Sequence, residues 1–260
     1  MARDFTVQAY LRILQALQDS EYVFLTYADY QASSANITRC VILRHDVDAD
    51  PEKSLEFAKI EKSINIRSTF YFKTSGNCFN EQIIKEIAGL GHEIGYHYMD
   101  LYESKGNIYN AIQSFEKNLI FLRQFYPVTT ICMDGRSLSR WNNLELWKSY
   151  NYKQFGITGE PYLDINFDRV LYLTDTGRKW NTSRFNLYDK VQSGYQYNNK
   201  SSIEIINDLS NNNLPDQIMI TTHPQRWHNR LIPWTIEFLL QILKNTLKLF
   251  IIKFRNWQNH

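Results

Sequence analysis

The chain has 260 residues, 43% of them hydrophobic and 22% charged, with a formal net charge of +2. That length can bury a substantial core within one α/β domain. Acidic and basic residues are mixed along the chain rather than blocked, so there is no basic footprint for nucleic acid, and none is expected as a partner.

"MARDFTVQAYLRILQALQDS" reads as an amphipathic helix over 5–19, and Arg3, Asp4 and Arg12 break the apolar run that a secretory signal needs. "EYVFLTY" and "CVILRHD" follow as strands. "PEKSLEFAKIEKSI" is a helix, with Asp50 at its N-cap and Pro51 at the first helical position. The alternation continues with the strand "RSTFYFK", the helix "NEQIIKEIAGL", the strand "HEIGYH" and the long helix "NIYNAIQSFEKNLIFLRQF". Next come "TTICM" as a strand, "NLELWKSY" as a helix, "QFGIT" and "RVLYLTD" as strands, the polar loop 193–202, the helix "SIEIINDLS" and the strand "DQIMITTH". In the last segment Glu237, Gln241, Lys244 and Lys248 fall too close together for a bilayer core. A helix over 233–253, packed on the domain rather than crossing a membrane, is expected there. Cys40, Cys78 and Cys132 are odd in number and widely spaced, which fits reduced thiols in a cytoplasmic protein.

Strands alternating with helices predict parallel pairing, as in a barrel or an open sheet, with function at the carboxyl ends of the strands. Five predicted strand ends deliver polar groups: His45, Asp46 and Asp48; His97 and Asp100; Asp134 and Arg136; Asp175 and Arg178; and His223. One shared site accounts for all five. Asp46 and Asp48, two residues apart on an extended segment, face the same side while Val47 faces the core. Carboxylates this close repel unless a proton or a metal ion intervenes, and the histidines make a divalent metal the natural counter-ion. His92, at a strand start, reads as structural, and Asp175 with Arg178 as an ion pair shaping a loop. Tyr98 and Trp227 stand among several aromatics near these motifs, where a sugar ring could stack on them.

"RHDVD", "GHEIGYHY", "YLTDTGRKW" and "ITTHPQRW", in that order over residues 40–230, resemble the polysaccharide deacetylase superfamily of the NodB-homology fold, in a branch linked with surface-polysaccharide gene clusters. The resemblance implies a distorted (β/α)7 barrel, here a single domain over 1–260. It also implies one divalent metal, commonly zinc, and removal of acetyl groups from N-acetylated sugars. Asp46 matches the family's general base, Asp48 its metal aspartate, His97 the first histidine of the metal motif, and His223 the histidine that protonates the leaving amine. The second metal histidine of the family falls where this chain has Leu101, so Asp100, His92 or a water is expected to replace it. Arg136 is the candidate for the family's arginine beside the base and, with Tyr98 and Trp227, for substrate binding. A competing expectation, supported by Leu101, is a domain that has lost catalysis and only binds a glycan or a partner.

Overall fold

A computed structural model describes residues 3–33, 37–136, 139–180, 191–195, 197 and 201–258. Four residues of the polar loop 193–202 lie outside this description. Helix α1 (Val7–Asp19) starts at the side chain of Thr6, which accepts from the Ala9 N–H, and buries Tyr10, Ile13, Leu14 and Leu17. It leads into β1 (Val23–Leu25) and α2 (Tyr27–Ser33). The central strand β2 (Cys40–Val47) is buried along its whole length, and α3 (Pro51–Ser63) follows it. Asp50 holds the expected N-cap position, but in a left-handed conformation (φ 50°) and without a side-chain capping bond.

The remaining strands are β3 (Thr69–Phe72), β4 (Glu93–Tyr98), β5 (Ile131–Met133), β6 (Leu171–Thr174) and β7 (Gln217–Thr222). Every pairing is parallel. The hydrogen-bonded path is β5-β4-β3-β2-β7-β6, and β1 shares one edge of β2 with β3: β1 takes Cys40–Ile42, and β3 takes Arg44–Val47. The sheet is curled like a half barrel, as the sequence implied, and among the described residues β5 and β6 are not paired. The connecting helices are α4 (Glu81–Gly89), α5 (Asp100–Glu103), α6 (Ile108–Leu122), α7 (Pro161–Asp164) and α8 (Ser202–Ser210). Two expectations are corrected. "NLELWKSY" forms a 3-10 turn over Asn143–Lys148. "QFGIT" forms no strand, because Tyr152–Phe155 turns as a 3-10 helix and only Gly159 makes an isolated bridge, to Thr130.

The two-residue period of the strands divides the core. Val41, Leu43, Val47, Phe70, Phe72, Ile94, Tyr96, Tyr98, Ile131, Met133, Leu171, Leu173, Ile218 and Ile220 belong to the larger apolar cluster, which the helices cover. Cys40, Ile42, Tyr172 and Met219 point to the other face and form a second apolar cluster with Leu25, Tyr27 and Val170. Along β2 this second face runs Cys40, Ile42, Arg44, Asp46, so it changes from apolar to charged toward the carboxyl end.

Helix α9 (Leu231–Gln258) is longer than expected and does not close the domain. It touches the body through Trp234, whose indole donates to the Asp4 carbonyl at 2.6 Å, and through Asn245, which donates to the Gly177 carbonyl at 3.0 Å; Gln241 is buried. Ile236, Leu239, Leu240, Leu243 and Leu247 stay exposed, because the larger cluster is already covered by α1, α3, α4, α6 and α8. Among the described residues no helix is long and apolar enough to cross a membrane.

Gly95 in β4 lies beneath the ring of Tyr71, its register partner on β3. A Cβ there would stand 2.3 Å from the ring and 3.1 Å from the Thr130 carbonyl oxygen. Gly95→Ala is expected to destabilise the fold by about 1–3 kcal/mol, read from denaturant unfolding, and an unchanged midpoint would contradict this packing.

Candidate active site

Each of the six strands β2 to β7 delivers one or two polar groups at its carboxyl end: Asp134 after β5, His97 on β4, Lys73 after β3, Asp46 and Asp48 at the end of β2, His223 after β7 and Asp175 after β6. Asp46, Asp48, His97, Asp134, Arg136 and His223 line one cavity of about 400 Å³, with Tyr102, Thr176, Arg226 and Lys244 among its other walls. The side chains at 46, 48, 97 and 223 therefore converge, as expected from their strand-end positions.

Asp46 is held by a residue that sequence reasoning passed over. Arg44, two residues earlier on the same face and almost fully buried, donates through Nε and Nη2 to the two carboxylate oxygens at 2.7 Å each. Burial pushes the Asp46 pKa up, but the Arg44 guanidinium, by its charge and its hydrogen bonds, leads the groups that outweigh it and hold the carboxyl below its usual range. Asp48 is likewise held low, burial being outweighed first by Lys73 and then by His223 and His97. His45, one residue out of phase, faces the helices: its Nε2 lies 2.8 Å from Glu61, its Nδ1 is 2.7 Å from the Thr222 hydroxyl, and its ring stacks on Phe70.

His97 places Nδ1 3.0 Å from the Cys132 carbonyl oxygen. That acceptor requires the proton on Nδ1, which leaves the Nε2 lone pair facing Asp48 at 3.7 Å and Asp46 at 4.0 Å. Burial lowers the His97 pKa despite the nearby carboxylates, so the ring is kept neutral. His223 is oriented by Asp175, which accepts from its backbone N–H at 2.8 Å and from Nδ1 at 2.6 Å. Arg226 (3.1 Å) and the Trp227 indole (2.8 Å) also donate to Asp175. These partners, His223 first, overcome burial and keep the Asp175 pKa low. Asp175 is therefore the anchor of His223 rather than the partner of Arg178. Its position at a strand end was visible in the sequence, but its partner lies 48 residues away on the neighbouring strand.

Three expected residues lie elsewhere. Asp100 is fully buried at the start of α5, where it accepts from the Tyr96 hydroxyl at 2.7 Å and from Ser114 and Asn118 at 2.8 Å each, outside the cavity lining. Tyr98, adjacent to His97, points to the helix side and accepts from the Trp147 indole at 2.8 Å. Trp227 is fully buried and serves Asp175. His92 is structural, with Nε2 3.0 Å from the Ala58 carbonyl oxygen and Nδ1 accepting from the Ser68 N–H at 3.2 Å. Leu101 belongs to the apolar core. Arg136 does line the cavity, its guanidinium 3.3 Å from Asp134 and stacked over Tyr102.

A metal could still be held. Asp48, His97 and Asp134 bring one ligand atom each within 4.8 Å of one another, so Asp134, not Asp100, is the further carboxylate that could join Asp48 and His97. Two carboxylates and an imidazole whose other nitrogen is tied to a carbonyl suit a divalent ion. A second side chain that the sequence did not single out is Lys73. It is buried, and its ammonium donates to Asp48 at 2.6 Å and lies 2.9 Å from Asp134. Burial lowers its pKa, but the two carboxylates more than reverse this, so it stays charged.

No protein-family model matches the chain, and no curated protein does. Among solved structures the chain is similar to BA3943, a CE4 family pseudoenzyme from Bacillus anthracis, at 14% identity and TM-score 0.46, covering 82% of this chain and 62% of that one. It is similar to the peptidoglycan deacetylase PdaC from Bacillus subtilis at 13% identity and TM-score 0.44, covering 81% and 84%. A third likeness is Bc1974, a polysaccharide deacetylase from Bacillus cereus, at 15% identity and TM-score 0.43, covering 80% and 89%. Two are deacetylases and one is a pseudoenzyme. The chain spans less than two thirds of the length of BA3943.

The Arg44–Asp46 pair also carries stability. Arg44→Met leaves a buried carboxylate unpaired and is expected to cost about 3–5 kcal/mol at neutral pH, with part recovered in Arg44→Met/Asp46→Asn. The low folded pKa of Asp46 contributes stability above its unfolded value near 3.8 that is lost as pH falls through the folded value. Asp46→Asn should therefore flatten the acid limb of the stability profile, and equal acid limbs would contradict the pairing.

Proposed function

We propose that this cavity hydrolyses the acetamide of an N-acetylated sugar or glycan in surface-polysaccharide metabolism. One observation carries the reading: Asp46 and His223 face the same cavity, each clamped from behind, by the Arg44 guanidinium for one and the Asp175 carboxylate for the other. An ionised carboxylate and an imidazole poised on one reacting group are what amide hydrolysis needs.

Asp46 takes a proton from the attacking water as its oxygen bonds to the carbonyl carbon. His223, its Nδ1 held by Asp175, gives a proton from Nε2 to the nitrogen as the C–N bond breaks, leaving acetate and a free amine. Asp175 fixes the ring so that Nε2 faces the cavity. Bound to Asp48, His97 and Asp134, a divalent ion such as zinc would supply Lewis-acid polarisation of the carbonyl and a lowered pKa for a water in the cavity. Arg136, over Tyr102 at the cavity wall, is the side chain placed to meet the polar groups of a sugar. Cys40, Cys78 and Cys132 are buried thiols not joined by disulfides, which supports the cytoplasmic setting expected from their number and spacing.

The second reading, a deacetylase-like domain that binds without turnover, is favoured by two observations: the ammonium of Lys73 between Asp48 and Asp134, and Leu101 within the core. Acetate release from N-acetylated oligosaccharides and sugar donors separates the two. The hydrolase reading expects release by the wild type, lost on chelation and restored by zinc. It also expects a roughly 10²- to 10⁴-fold loss in kcat for Asp46→Asn and for His223→Gln. Release unaffected by both substitutions would remove Asp46 and His223 from the reaction. Sugar binding with no release from any substrate would support the non-catalytic domain.

A further inference from the structure

We propose that Lys73 is a tethered counter-ion that competes with a divalent metal for Asp48 and Asp134, so that metal enters this site only by displacing the lysine ammonium. The inference rests on reading Asp48, His97 and Asp134 as the metal donors. Lys73 follows β3, the strand lying between β2 and β4, so its side chain rises between Asp48 on one side and His97 with Asp134 on the other. Its two contacts are short, 2.6 Å to Asp48 Oδ1 and 2.9 Å to Asp134 Oδ2. Asp48 Oδ1 is also the carboxylate oxygen that lies 3.7 Å from His97 Nε2. Both carboxylates that would bind a metal, and in Asp48 the very oxygen that faces His97, are therefore already bound by the ammonium.

Charge points the same way. Asp46 is neutralised by Arg44, and Asp134 Oδ2 is shared by Lys73 and, at 3.3 Å, by the Arg136 guanidinium. The carboxylates that would attract a dication thus already have cations of their own, and a metal drawing on the same oxygens meets a full positive charge within hydrogen-bond range of both. Like charges in a buried site repel strongly, so either the ammonium or the metal must leave. The side chain has somewhere to go, because the cavity of about 400 Å³ opens beside Asp48 and Asp134. A lysine with a purely structural role would instead prop the two carboxylates apart, and its loss would weaken metal binding.

Calorimetric titration of chelator-stripped protein with zinc, for the wild type, Lys73→Met and Lys73→Arg, tests this, with thermal unfolding to confirm folding. The expected result is one zinc per chain bound roughly tenfold or more tightly by Lys73→Met than by the wild type, with Lys73→Arg remaining weak. Equal or weaker binding by Lys73→Met overturns the competition but leaves the metal donors standing. No zinc bound by any of the three overturns the donors and the competition together. Should Lys73→Met fail to fold, anomalous diffraction from zinc-soaked wild-type crystals decides. An ion on Asp48, His97 and Asp134 with the lysine swung away supports the proposal, and the same ion beside an unmoved Lys73 overturns it.

Discussion

Three carboxylates, those of Asp46, Asp48 and Asp134, share one end of a parallel sheet, and the arrangement exists because each is met by a cation from the same end of the sheet. Arg44 takes Asp46 by a two-pronged bond along β2, and Lys73 spans Asp48 and Asp134 from β3. In a buried setting, unpaired charges at this separation would protonate or force the strands apart. With the cations in place, Asp46 and Asp48 are held below the usual carboxylate range although they stand close together, and the cavity keeps its shape.

The two-residue period of the strands connects this pairing to the rest of the molecule. One face of every strand feeds the apolar cluster under the helices. The other face, Arg44 and Asp46, Tyr71 and Lys73, Gly95 and His97, lines the concave side. A one-residue slip in β2 would exchange His45 and Val47 for Arg44 and Asp46, driving charges into the helix-covered core, so packing and site geometry are fixed by the same register. The Asp175–His223 pair extends the pattern to β6 and β7, which joins catalytic orientation to the far edge of the sheet.

Much of this was legible in the sequence. The alternation of strands and helices gave the parallel α/β class, and the strand-exit rule brought Asp46, Asp48, His97 and His223 to one cavity. The failures have physical causes. Tyr98 was assigned to substrate although its neighbour His97 faces the site, and adjacent strand residues face opposite ways. Asp100 is helix-forming, and its oxygens are taken by Tyr96, Ser114 and Asn118, two of which come from a later helix. Lys73 stands at the end of the strand "RSTFYFK" and obeys the same exit rule, but a lysine at a strand end is ordinarily a solvated charge, and only the carboxylates of Asp48 and Asp134, from other strands, give it a role. Whether α9 packs its apolar residues depends on surface left uncovered by other elements, which no local pattern encodes.

A neutron diffraction map of the chelator-treated protein tests the pairing most directly. The account predicts three deuterons on Lys73 Nζ with two of them directed at Asp48 and Asp134, unprotonated carboxylates at Asp46 and Asp48, and a deuteron on Nδ1 of His97. A Lys73 turned toward solvent with a deuteron on Asp46 or Asp48 would contradict it.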